Sequence, residues 1–88
     1  MSELAKAVDT IQREFRERFG LEVDIQLNVH EVPQIEKAES VAKIVAKELE
    51  LCRPECESHN DSAWLIAERR GVTLVVFYPK GVLQCEQL

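Results

Sequence analysis

The sequence predicts a single small α/β domain of the order helix–strand–helix–strand–strand, with two helices on one face of a three-stranded mixed sheet. Three observations predict it. Residues 2–19 repeat apolar side chains at steps of four and three; residues 21–30 alternate apolar and polar without a break; and two β-rich runs, SAWLIAER and VTLVVFYP, flank a turn at Arg70-Gly71. Eighty-eight residues, of which 45% are apolar and 31% charged, suit one modest core. Residues 1–88 are therefore read as one domain, with 81–88 as a flexible tail.

In the first helix Leu4, Val8, Ile11, Phe15 and Phe19 share one stripe, expected to face the core. Ser2 is positioned to cap its start and Gly20 to end it. In the strand read over 21–30, Leu21, Val23, Ile25, Leu27 and Val29 point one way, and Glu22, Asp24, Gln26, Asn28 and His30 the other. Pro33 opens a second helix over 34–51 with the stripe Ile35, Ala38, Ala42, Val45 and Leu49, widened by Val41 and Ile44. Arg53-Pro54 is expected to end it, because a residue before proline is steered away from helical geometry. The polar stretch Leu51 to Asn60, LCRPECESHN, then reads as a crossover loop.

A strand–helix–strand unit crosses over right-handed and leaves its two strands parallel. The last strand is the most apolar and is expected in the middle, antiparallel to both neighbours. That is the order 1-3-2 of a split βαβ. A turn at Arg70-Gly71 pairs Glu68 with Thr73, Ile66 with Val75 and Trp64 with Phe77 on one face. On the other it sets Ala67 opposite Leu74 and Leu65 opposite Val76. The aliphatic set belongs under the helices. Trp64, Ile66, Val75 and Phe77 then form a contiguous patch on the open face, of a kind that monomers rarely leave bare. It is expected either to bind a protein partner or a second copy of the chain, or to be covered by Val82 and Leu83 of the C-terminal segment.

The net charge of −5 argues against nucleic acid and against an anionic membrane surface as partners. The first fifteen residues contain acids and no apolar run, unlike a signal peptide. The longest apolar stretch, Val72 to Tyr78, is too short to cross a bilayer. Three cysteines, an odd number, point to reduced thiols and a cytoplasmic location.

Cys52-x3-Cys56-x2-His59, with Cys85 downstream, offers four soft ligands. Zinc sites pair two tight ligand pairs, and here the second pair is missing, so no metal is expected. Cys52 is read as a small hydrophobe finishing the second helix's stripe, and Cys56 as part of a polar turn. His30, with Asp24 and Asn28 on its face, and His59, among Glu57, Ser58, Asn60 and Asp61, have the chemistry of a general base. Neither joins a nucleophile signature, and the chain has no P-loop, G-x-S-x-G or G-x-G-x-x-G, so no catalytic residue and no cofactor are expected. Arg69, Arg70 and Lys80 gather at the hairpin as a solvated turn or a contact for an acidic partner. The expected function is a non-enzymatic interaction or regulatory module that self-associates through the open sheet face. The alternative is a metal- or redox-responsive protein using the 52–59 loop.

Overall fold

The computed structural model describes residues 2–30, 32–59 and 62–79. Within them the chain runs α1 (Glu3–Phe19), β1 (Ile25–Val29), α2 (Ile35–Glu48), β2 (Glu55–His59), β3 (Ser62–Arg69) and β4 (Val72–Pro79). The sheet has four strands in the order β1-β4-β3-β2. β1 and β4 are parallel, and the β2–β3 and β3–β4 pairs are antiparallel.

The α+β class is as expected, but the three-stranded sheet of order 1-3-2 is not what forms. The fourth strand is β2, the sequence Glu-Cys-Glu-Ser-His, read above as a loop. All five of its residues are exposed, and α2 packs on β3 and β4. A strand with no buried face shows no apolar alternation, so nothing in its side chains announces it. The backbone ladder to β3 alone defines it. Its presence also reverses directions. The crossover from β1 through α2 ends at β2, parallel to β1 but at the far edge, and the meander β2-β3-β4 returns inward. β4 therefore arrives parallel to β1, and only β3 opposes it.

α1 starts with Ser2 Oγ accepting from the Ala5 amide at 3.1 Å, and Glu3 adds a favourable charge in the first turn. It stops at Gly20, whose φ of 69° is left-handed and whose N–H donates to the Arg16 carbonyl at 3.0 Å. β1 is shorter than the alternation of 21–30 suggested. Its parallel partner begins at Val72, opposite Ile25, and the last cross-strand bond runs from the Ile25 amide to the Gly71 carbonyl at 2.9 Å. Residues 21–24 have no strand to pair with. The Gln12 side chain ties this link down instead, donating to the carbonyls of Val23 (3.3 Å) and Gly71 (3.0 Å). Gly71 is at φ 83°, and a Cβ there would sit 3.1 Å from Gln12 Nε2, so both backbone and space require glycine.

α2 ends at Glu48, before the 51 expected. Glu50 adopts a left-handed φ of 58°, and the Leu51 amide closes back on the Ala46 carbonyl at 2.8 Å. The helix is finished by its own C-terminal turn before Pro54 can act. Its inner face is Ile35, Ala38, Ala42 and Ala46, continued by Leu49 just past the helix, all buried, whereas Ile44, expected to widen this stripe, points outward and is exposed. The three alanines bring the helix backbone close to the sheet. There Val32, Ile35, Ala38 and Ala42 pack with Ala63, Leu65, Leu74, Val76 and Tyr78. A second cluster of Val8, Leu49 and Val72 joins the N-terminal half of α1 to the same side of the sheet. Both helices thus lie on one face. All five hairpin pairs and both face assignments expected around Arg70-Gly71 are found.

Candidate functional site: the open sheet face and its surroundings

The face away from the helices is ordered by strand pairing into rows. Trp64 of β3 stands between Glu57 of β2 and Phe77 of β4. His30, just past β1, lies on the far side of Phe77, stacked upon it at 4.9 Å between ring centroids and 3° between planes. Trp64 and Phe77 meet tilted at 6.0 Å, and Trp64 Nε1 donates to Glu57 Oε1 at 3.1 Å. One line, His30–Phe77–Trp64–Glu57, therefore crosses the sheet from edge to edge. The next row is Asn28, Val75, Ile66 and Glu55, and the next Gln26, Thr73 and Glu68. Offset and tilted ring contacts of this kind hold side chains in place beyond their apolar burial.

Three of the four expected contact residues, Trp64, Ile66 and Phe77, are half-buried and reach the surface. Val75 does not: at 6% exposure it is the floor beneath its neighbours, because it sits at the sheet centre with side chains on every side. The β2 side of the face is acidic, with Glu55, Glu57 and Glu68 beside one cation, Arg53. Among the described residues all ion pairs lie in α1 or join Arg16 to Glu22, so these three carboxylates have none.

The most exposed bulky apolar groups lie elsewhere. Ile11 (45%), Phe15 (38%), Phe19 (57%) and Leu21 (60%) follow one another along the C-terminal half of α1 and just past it. The stripe that is buried at Val8 continues past the body of the protein. The expectation that all five stripe residues face the core is corrected accordingly: α2, seated over the centre, leaves sheet surface for only the first turns of α1. The sequence carried a signal for this. Phe15 and Phe19 are bulkier than anything on the inner face of α2. Phe15 and Phe19 touch at 5.4 Å, and the Arg18 guanidinium lies 5.5 Å over the Phe19 ring.

Among the described residues the cysteine loop is not part of any cluster of three metal-binding side chains. Cys52 is a free, exposed thiol and not the buried hydrophobe expected, because the left-handed turn at Glu50 takes the chain off the helix stripe. Cys56 is disulfide-bonded, contrary to the expected reduced thiols, and its Sγ lies 2.9 Å from Tyr78 Oη. An oxidised sulfur is no thiolate ligand, and no group of three metal-binding side chains occurs among the described residues. Native protein is expected to be alkylated at Cys52 within minutes and at Cys56 only after reduction, as read by peptide mass mapping; labelling of Cys56 without reductant contradicts the assignment.

His59 is exposed at the end of β2, opposite Ser62, while Asn60, Asp61, Lys80, Val82, Leu83 and Cys85 lie outside the described residues, as does the 81–88 tail. Among the described residues His30 stacks on Phe77 and meets no carboxylate. The hairpin cations are partly committed: Arg69 donates to the carbonyls of Leu49 (2.8 Å) and Arg70 (3.3 Å). Nearby, a cleft of about 520 Å³ is lined by Arg16, Arg69 and Arg70 together with Glu22 and Asp24, a mixed border that favours no anion. No helix is long and apolar enough to cross a membrane among the described residues.

Comparison with family models, with curated proteins and with solved structures gave no match to this chain.

Proposed function

We propose that the protein is a non-enzymatic interaction module that self-associates through the open face of its sheet. One observation carries the reading: the row His30–Phe77–Trp64 crosses the strands on the side away from the helices, with Ile66 beside it and an acidic border along β2. Aromatic side chains held rigid by their neighbours lose little conformational freedom on docking, and such residues dominate the centres of protein interfaces. A polar rim then sets orientation and partner choice. The contact residues are Trp64, Ile66 and Phe77, over the floor formed by Val75.

Sedimentation of wild type beside Trp64→Glu tests this. Wild type is expected above monomer mass and the variant at monomer mass, since a carboxylate at the centre of the row would be desolvated without a partner. Two identical monomer profiles would remove the reading.

A further inference from the structure

Cys56 carries chemistry that the open sheet face does not use. We propose that its disulfide is a redox switch: a thiolate reductant of the glutathione class opens the bond, Tyr78 Oη holds the departing Cys56 sulfur, and β2 loosens in consequence. None of this depends on the proposed self-association.

Cys56 Sγ and Tyr78 Oη are 2.9 Å apart. A disulfide sulfur has no hydrogen to give, so the phenol is the donor. A disulfide sulfur is a weak acceptor and a thiolate a strong one. The same hydrogen bond therefore strengthens when the S–S bond breaks with Cys56 as the leaving group. A stabilised leaving thiolate departs faster and makes the bond easier to reduce. The phenol is fixed in place for this: Tyr78 is buried in the main core cluster, opposite Ala63, whose small side chain leaves the ring room to reach across β3.

Cys56 is also open to a reductant. It pairs with Leu65 on the helix side of the sheet, but α2 packs on β3 and β4, and Cys56 beyond them is exposed. With Cys52, Arg53, Pro54 and Glu55 it lines an open cleft of about 610 Å³. Exposed disulfides exchange with small thiols, whereas structural ones resist the glutathione pool.

In the first step a glutathione thiolate attacks the sulfur joined to Cys56. A new S–S bond forms there, and the electron pair of the old bond leaves with Cys56. A second glutathione thiolate attacks the glutathione sulfur of this mixed disulfide and releases the other protein thiolate. Two glutathiones become one glutathione disulfide, and their two electrons and two protons end on the two protein thiols.

The consequence falls on β2. It is the edge strand beyond β3, and none of its residues belongs to either core cluster. Among the described residues its side chains are fastened through Glu57 to Trp64 and through Cys56. Reduction removes the covalent one of these ties.

Titration with glutathione tests the switch. In a Cys52→Ser background, which removes the free thiol, the protein is equilibrated with mixtures of reduced and oxidised glutathione, quenched with acid and alkylated. Peptide mass mapping then reads the fraction of Cys56 modified. Half reduction is expected within these mixtures. Tyr78→Phe keeps the ring and loses the hydroxyl, and circular dichroism checks its fold. It is expected to require a roughly tenfold higher ratio of squared reduced to oxidised glutathione. In the protein with Tyr78 intact, β2 amides are expected to exchange at least about tenfold faster after reduction, with β4 unchanged.

A bond that stays closed in excess reduced glutathione overturns the inference. So does a folded Tyr78→Phe protein that titrates like its parent, or β2 exchange that is the same in both redox states. If Tyr78→Phe does not fold, the titration and the exchange rates of the parent decide.

Discussion

Leu49→Ala is expected to lower the unfolding free energy by about 3 kcal/mol, the usual scale for truncating a fully buried leucine. Leu49 is 1% exposed and stands between Val8 of α1 and Val72 of β4, with Leu4, Ala5 and Ile25 around it. Just past α2, Leu49 is the buried residue that joins that end of the helix to Val8 of α1, so its loss loosens the N-terminal helix as well as opening a cavity. At 4–8 °C per kcal/mol for a domain of this size, the melting temperature falls by roughly 15 °C. Amide exchange in α1 is expected to accelerate more than exchange in β3 and β4. A shift of less than about 3 °C would show that α1 is held elsewhere.

The second large effect runs in the opposite direction, by adding volume. Ala42 is fully buried, between Ala38 and Ala46 on the face of α2 nearest the sheet. Ala42→Leu inserts three carbons where the helix backbone is already close to Leu65, Leu74 and Val76, and is expected to cost about 1–3 kcal/mol as α2 moves outward. Ile44, on the same helix, is 55% exposed and serves as the control: Ile44→Ala should stay within about 0.5 kcal/mol. Denaturant midpoints with unchanged slopes give both values. Equal effects at the two positions would mean that the alanine seam does not set the distance between helix and sheet.

These two residues also illustrate what a sequence discloses. Ala42 and Leu49 fall on the buried stripe that the spacing of α2 predicts, and the β3–β4 register follows from Gly71 and from aliphatic residues alternating on both sides of it. Local periodicity and a glycine requirement are properties of the chain itself. β2 is different. Its existence depends on the backbone of β3, not on its own side chains, so Glu55 to His59 carry no mark of it. Missing that strand inverted the direction of β4, which hid the stacking of His30 on Phe77: those rings meet because β1 and β4 run parallel. The stripe of α1 fails for another reason. Amphipathic spacing says which face of a helix avoids water, and not whether enough partner surface exists to cover it. Trp64, Ile66 and Phe77 were legible as one face by parity alone, whereas the sinking of Val75 below them needed all four strands in place.

The parallel pairing of β1 with β4 has a consequence for how the molecule comes into being. Residues 25–29 are synthesised before residues 72–76, whose backbone groups receive them. As the chain emerges, α1, β1 and α2 appear before any strand to which β1 can bond. β1's amides and carbonyls remain with water, and its apolar face stays uncovered, until the final hairpin has turned at Gly71. α2, β2 and β3 must all be made before β1 has a neighbour. The sheet is closed by β4, the latest-made of its described strands.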